Sequence, residues 1–295
     1  MRDLIGIYSD KFKIIGNEYE PMTMLEEMGR VFLDKIGDKD IELIFDIDKG
    51  LPTKLYGADI HIRQVINSFM DNAIKYTDQG YIRLLIKIYP EREEGAIDMY
   101  VSVKDTGKGI RSKDINTLFK QKFFKRRPHG DDENQGLPSS QHLIGKMGGK
   151  INVKSEQGIG SEFWFSVRQG VVDPTVAAAL KLPEGSHPPR VSAKCNNPYR
   201  EEALMAMINT YKLSFIPFDI LQDVGMTVDY LFTDPESYRG SKQEMEELVR
   251  HKEDICIIEN PVRDHTKLEG VTTVYRPLFS MNFCRFLNHE DIVKA

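Results

Sequence analysis

Ser68, Asn72 and Lys75 fall at i, i+4 and i+7 within Arg63-Gln64-Val65-Ile66-Asn67-Ser68-Phe69-Met70-Asp71-Asn72-Ala73-Ile74-Lys75-Tyr76-Thr77. On a helix that spacing gathers a hydroxyl, an amide and an ammonium into one polar stripe. An amide oxygen can ligate a hard cation and an ammonium can neutralise phosphate charge, so the stripe suits a metal–phosphate ligand. Val65, Ile66, Phe69, Met70 and Ala73 form a broad apolar face on the same segment, and an amphipathic helix with an ordinary wet side accounts for the pattern equally well. A second group is Lys104-Asp105-Thr106-Gly107-Lys108-Gly109-Ile110. Here a carboxylate ends an apolar run, and Gly-x-Gly makes a tight turn that a planar ligand can approach closely. The Asp105 carboxylate can accept a hydrogen bond from an exocyclic amine such as that of adenine. Many surface turns share so short a pattern.

The order of the pieces says more than any one of them. Asn72-Ala73-Ile74-Lys75-Tyr76-Thr77 precedes Asp105-Thr106-Gly107-Lys108-Gly109-Ile110; Leu118-Phe119 and Phe123-Phe124 follow, then Gly136-Leu137-Pro138, Met147-Gly148-Gly149 and Gly158-Ile159-Gly160-Ser161-Glu162-Phe163. The series resembles the N, G1, F and G2 boxes of the histidine-kinase catalytic domain, of the GHKL ATPase superfamily. The resemblance implies that ATP and Mg²⁺ bind here. Asn72 would help hold Mg²⁺ and phosphate, Lys75 would contact phosphate and Tyr76 would flank the adenine. Asp105 would bind the adenine amine at a turn shaped by Gly107 and Gly109, with Ile110 completing the box. Phe119, Phe123 and Phe124 would anchor the ATP lid, Gly136 and Leu137 would start the helix behind the phosphates, and Ser161 stands near the adenine where the family often has Thr. Two departures stand out. Ser68 takes the place of a first amide ligand, which predicts weaker Mg²⁺ binding. The lid stretch Asp132-Glu133-Asn134-Gln135-Gly136-Leu137 keeps only the final Gly-Leu of a glycine-rich pattern, with Asp131 and Asp132 where phosphates should pass and Lys125, Arg126 and Arg127 nearby to offset them.

The elements that must position these groups follow from periodicity. Leu4, Ile5, Tyr8, Phe12 and Ile15 make a helical stripe closed by Pro21, and residues 1–19 resemble the end of the kinase's dimerisation helix. Helices are predicted over 22–35, 59–76, 111–124 and 139–147, and strands over 41–47, 81–89, 97–104, 150–155 and 162–168, with a loop at 125–136. The resulting fold class is α/β: an α/β-sandwich of the GHKL ATPase type over residues 20–169. Residues 170–189, with four prolines, read as a linker containing a short Ala-rich helix at 175–180. Beyond it, strands at 190–194, 214–218, 229–233, 255–259 and 271–275 alternate with helices at 199–211, 242–251 and 282–288. That alternation predicts a doubly wound parallel sheet over 190–295.

This second region resembles a flavodoxin-like, CheY-like receiver domain, through its alternation, through Asp229-Tyr230-Leu231-Phe232-Thr233-Asp234 and through Arg276-Pro277-Leu278. A receiver holds Mg²⁺ with two acids after its first strand, where this chain has Lys194-Cys195-Asn196-Asn197. Asp234 aligns with the phosphoacceptor, Glu259 or Asn260 with a Thr or Ser, and Arg276 with a Lys. The expectation is a pseudo-receiver that does not take up phosphate; an unrelated flavodoxin-like packing module is the alternative. His289-Glu290-Asp291 is the one superficial match to a phosphoacceptor histidine, without the Arg-Thr-Pro that should follow, so the acceptor is expected upstream of Met1.

Bulk properties narrow the classes. A net charge of -5 gives no basic field for nucleic acid. Cys195, Cys256 and Cys284 are odd in number and widely spaced, which suits a reducing compartment. No apolar run approaches the roughly 20 residues that span a bilayer, so this stretch is expected in the cytoplasm, whether or not its parent is membrane-anchored. The leading reading is the catalytic and C-terminal regulatory portion of a sensor histidine kinase. Its expected partners are an upstream dimerisation and phosphoacceptor domain, a second copy of the parent and a cognate response regulator. The runner-up is a nucleotide-binding pseudokinase that signals by conformation.

Overall fold

A computed structural model of the chain describes residues 13–91, 94–119, 136–182, 185–259 and 268–290. It divides into two compact units, Met1–Ile41 with Gly50–Ala177, and Glu42–Lys49 with Ala178–Ala295.

The first unit is an α/β sandwich. Helix α1 (Pro21–Ile36) begins on a proline, whose fixed φ and missing N–H suit a first helical turn. Pro21 thus opens a helix; the helical stripe predicted before it is not seen in its described part, where residues 13–16 carry no regular structure and Asn17–Tyr19 forms a strand, and residues 1–12 lie outside the described residues. Met22, Leu25, Met28, Phe32, Leu33 and Ile36 are buried along one face, and Gly37 at φ 54° ends the helix. The unit's own strands run in the order β1 (Asn17–Tyr19), β3 (Pro52–Gly57), β7 (Gly160–Val176), β5 (Ala96–Asp105) and β4 (Gln79–Pro90), with β6 (Asn152–Glu156) also pairing β7; β2 (Asp40–Ile47) straddles the division between the two units. Alternate residues fill its core face: Ile82, Leu84 and Ile86 on β4, Met99, Val101 and Val103 on β5, and Phe163, Phe165 and Val167 on β7. Cross-strand pairing puts them in rows, Leu84–Val103–Phe163 and Ile86–Val101–Phe165 among them.

Onto these rows packs helix α2 (Asp59–Tyr76), which buries Ile62, Val65, Ile66, Phe69, Met70, Ala73 and Ile74. The Phe69 ring lies 5.4 Å from Phe163 and 6.0 Å from Phe165. Lys39 Nζ donates to the carbonyls of Ile74 and Thr77, a cation on the negative end of the helix. Helix α4 (Gly136–Lys146) packs beside α2. Of the helix predicted over 111–124, the described residues form Ser112–Ile115 (α3) and a turn to Phe119; residues 120–124 lie outside the described residues. Strand β7 continues to Val176, so the Ala-rich helix predicted at 175–180 is absent. Val171, Val172, Thr175 and Val176 favour extended backbone, and Thr53 Oγ1 donates to the Thr175 carbonyl at 2.9 Å.

The second unit carries a five-stranded parallel sheet of β8 (Arg190–Lys194), β9 (Ser214–Phe215), β10 (Tyr230–Thr233), β11 (Ile255–Glu259) and β12 (Thr272–Tyr275), in the order β12-β11-β10-β8-β9. Counted along the chain this is 2-1-3-4-5, the flavodoxin-like order. Both faces are covered. Phe232, Cys256 and Ile258 face one cluster with Leu204, Ile208, Phe283 and Phe286, while Leu231, Ile255 and Ile257 face another with Leu221, Tyr238 and Met245. Burial on both sides explains the unbroken apolar run Ile-Cys-Ile-Ile in β11. The covering helices are α5 (Pro198–Thr210), α6 (Phe218–Val224), α7 (Pro235–Gly240), α8 (Lys242–Glu247) and α9 (Ser280–Leu287). Helix α6 replaces the end of the strand predicted at 214–218. The helix predicted at 242–251 stops at Glu247. Among the described residues, no helix is long and apolar enough to cross a membrane.

Candidate functional site

Asp105 is the last residue of β5 and is buried. Its Oδ1 accepts the Gly107 N–H at 2.8 Å, and its carboxylate also accepts the Ser161 N–H. Burial pushes the carboxyl pKa up from the ordinary aspartate range, outweighing those two hydrogen bonds, which lower it. The turn after it is locked against its neighbours. Lys108 donates its N–H to the Tyr76 carbonyl at 3.1 Å, and its own carbonyl accepts the Gly158 N–H at 2.9 Å. A Cβ on Gly107 would stand 2.3 Å from the Tyr76 carbonyl oxygen; one on Gly109, at φ +62°, would stand 1.9 Å from that of Glu156. Both positions therefore need glycine. The end of α2, the 105–110 turn and the β6–β7 hairpin meet here, which brings together Tyr76, Asp105, Gly107, Gly109, Ile110 and Ser161.

One residue of this assembly carries no motif. Ser155, on β6, accepts the Ile110 N–H at 2.8 Å, donates to the Gly160 carbonyl at 2.8 Å and lies 3.0 Å from Ser161 Oγ. It stands opposite Ser161, which stands opposite Asp105. The only sequence signal is register: a hairpin that pairs Ser155 with Ser161 puts both on one face.

Helix α2 presents the polar stripe. Ser68 and Asn72 are partly buried and Lys75 is exposed. Ser68 Oγ is buried without a hydrogen-bond partner, and a Cβ on Gly136 would stand 2.5 Å from it, so the start of α4 abuts Ser68. Leu137 follows on the same turn. Thr77 Oγ1, wholly buried beside Gly107, is a second hydroxyl without a partner. Tyr76 is flanked by two cations, Lys108 Nζ at 4.3 Å and Lys75 Nζ at 5.2 Å from the ring centroid. Phe119 is partly buried in the turn after α3; Phe123 and Phe124, and the charged stretch 125–132, lie outside the described residues.

These groups fit a nucleotide with a divalent cation. A buried carboxylate with spare lone pairs suits a base amine, and orphaned hydroxyls suit a ligand that brings its own partners. Asn72, with Ser68 at one remove, could supply neutral oxygens to a hard cation, and Lys75 a counter-charge. Mg²⁺ bound there would neutralise phosphate charge.

In the second unit Asp234 is buried and fully engaged. Oδ1 accepts the Ser237 N–H at 2.8 Å, which makes Asp234 the N-cap of α7, and Oδ2 accepts the Asn196 N–H at 2.7 Å. Arg200 Nη1 lies 3.5 Å from Oδ2. Asn197 caps α5, its Oδ1 accepting the N–H of Tyr199 and of Arg200. Arg276 and Glu259 are buried at the ends of the neighbouring strands; Asn260 lies outside the described residues. Among the described residues no group of His, Cys, Asp and Glu side chains could hold a metal ion. His289 Nε2 is 2.9 Å from the Tyr230 hydroxyl.

Residues 57–171 match the profile of the histidine kinase-, DNA gyrase B-, and HSP90-like ATPase family. The chain is 31% identical to the sensor protein GacS of Pseudomonas syringae pv. syringae over 227 residues, 75% of this chain and 24% of that protein. It is 29% identical to hybrid signal transduction histidine kinase B of Dictyostelium discoideum over 184 residues, 61% of this chain and 9% of that one. The chain thus spans a quarter or less of the length of these relatives. In fold it is similar to full-length ShkA crystallised with AMPPNP, with a TM-score of 0.72 at 20% identity, over 97% of this chain and 59% of ShkA.

Proposed function

We propose that the first unit, whose residues 57–171 match the histidine kinase-, DNA gyrase B-, and HSP90-like ATPase family, is the ATPase domain of a hybrid sensor kinase, and that it binds ATP and passes the γ-phosphoryl group to a histidine outside this chain. The observation that carries the reading is the buried Asp105 carboxylate, held by Gly107 and Ser161 N–H groups with acceptor capacity left over, beside Tyr76. In such a transfer the protein positions the phosphoryl group and stabilises its charge, while a partner helix presents the nucleophile. Asn72 would act on the metal and Lys75 on phosphate. No histidine of this chain has an acceptor's setting in sequence, and His289 is engaged with Tyr230. We read the second unit as a pseudo-receiver and the whole as a cytoplasmic portion of a dimeric two-component kinase that serves a response regulator. Calorimetry with a non-hydrolysable ATP analogue, with and without Mg²⁺, followed by phosphotransfer from labelled ATP to an added phosphoacceptor domain, tests this. Binding with transfer is expected.

A second reading, a nucleotide-binding pseudokinase, is favoured by one observation: Ser68 Oγ sits unpartnered where an amide ligand would reach further. Binding without transfer in the same assay would establish it.

A further inference from the structure

Proton bookkeeping along one row of the sheet gives Ser155 a role. Ser155, Ser161 and Asp105 are cross-strand partners on β6, β7 and β5, so their side chains emerge on one face. It is the core face: the next row is Val153–Phe163–Val103. The Asp105 row is therefore where the apolar stripe under the helices turns polar.

A serine hydroxyl has one proton to give and two lone pairs to accept with. Ser155 gives its proton to the Gly160 carbonyl, an atom that can only accept, at 2.8 Å. One lone pair takes the Ile110 N–H at 2.8 Å. The remaining contact, 3.0 Å to Ser161 Oγ, must then use the proton of Ser161. Ser155 is saturated, and Ser161 has spent its only proton. Beside the Asp105 carboxylate, itself acceptor-only when ionised, Ser161 Oγ offers lone pairs alone.

We propose that Ser155 is a positioning residue for base selection, holding Ser161 as a pure acceptor so that the Asp105–Ser161 pair admits a base edge that donates and repels one that accepts. The proposal rests on the reading of Asp105 as the base site. A 6-amino purine has two N–H bonds to offer such a pair. A 6-oxo purine has only its N1–H to offer one member of the pair, and sets carbonyl lone pairs against the other. Without Ser155, Ser161 regains its proton and can turn it toward a carbonyl, and the acceptor-only character of the row is lost.

The test is the ratio of the dissociation constants for ITP and ATP, measured by calorimetry on the whole chain. The native protein is expected to favour ATP strongly. Ser155→Ala should shrink the ratio by about three- to tenfold, the scale of one hydrogen bond whose sign is no longer fixed. Ser155→Thr, which keeps the hydroxyl, should restore it. Ser161→Ala provides a second reading should Ser155→Ala fail to fold: it should weaken ATP and strengthen ITP, shrinking the same ratio from both sides. A Ser155→Ala protein that loses affinity for both nucleotides in equal proportion, or a Ser161→Ala protein with the native ratio, overturns the proposal and leaves the Asp105 site standing. An Asp105→Asn protein that binds ATP as the native chain does overturns both.

Discussion

Replacing Asp105 by asparagine separates recognition from folding. The two side chains have nearly the same shape, but asparagine is neutral and turns one acceptor oxygen into a donor. A hydrogen bond to a charged group is worth about 1–3 kcal/mol, so ATP affinity should fall roughly 5- to 150-fold. Stability should behave differently. Burial raises the Asp105 pKa, so the folded state holds the proton more tightly than the unfolded state does. Such a group stabilises the fold below the unfolded pKa, and that contribution disappears as pH rises through the folded value. At neutral pH the ionised carboxylate is therefore a burden, which asparagine relieves, offsetting any loss at the Gly107 or Ser161 N–H. The unfolding temperature without nucleotide should stay near the native value while the ATP-induced increase in it shrinks. Calorimetry and thermal unfolding at neutral pH measure both quantities. Native ATP affinity in a folded mutant would refute the assignment of Asp105. A large drop in nucleotide-free stability would refute the claim that desolvation dominates its energetics.

The raised pKa has a further consequence: ATP affinity of the native chain should decline on acidification with a midpoint above the ordinary aspartate value, and Asp105→Asn should flatten that profile; a midpoint at or below the ordinary value contradicts the burial argument. Ser68→Asn should strengthen Mg²⁺-dependent ATP binding by supplying an amide oxygen in place of the hydroxyl; a native protein that already requires Mg²⁺ strictly, and a substitution without effect, would count against it. Gly109→Ala should weaken ATP binding or unfold the turn, because its Cβ would meet the Glu156 carbonyl; native affinity would show that the turn yields easily. In the second unit, small phosphodonors or beryllofluoride with Mg²⁺ should leave Asp234 unmodified, and Asp234→Ala should cost about 2 kcal/mol in chemical denaturation through loss of the α7 cap and the Asn196 contact. A mapped phospho-adduct at Asp234 would show an active receiver.

What could be read from the sequence was what repeats or what recurs as a motif. The apolar period of α2 and the alternation of β4 and β5 announced themselves, and Asp105 with its glycines lay in an ordered series of boxes. The parallel sheet of the second unit followed from short apolar runs separated by helices. Strand β3 was missed because Pro52, Lys54 and Gly57 break any clean alternation, and α6 because seven residues are too few to establish a period. The misread at 175–180 came from weighing three alanines against a strand whose pairing with β3 is non-local. Ser155 was invisible for a related reason: its meaning comes from what lies opposite it, and a chain read in one dimension does not display its cross-strand partners.

Strand β7 is paired on both flanks where it carries Ser161, to β5 and to β6. A slip of one residue would do more than displace that hydroxyl; it would turn it to the far side of the sheet and bring Glu162 round in its place. What forbids the slip is Phe163, Phe165 and Val167, which would all be driven out of the core together. If Asp105 and Ser161 are the base site, discrimination between nucleotides draws its accuracy from side chains of the hydrophobic core. Repacking under α2 is therefore a route by which drift in the interior can become an error in molecular reading.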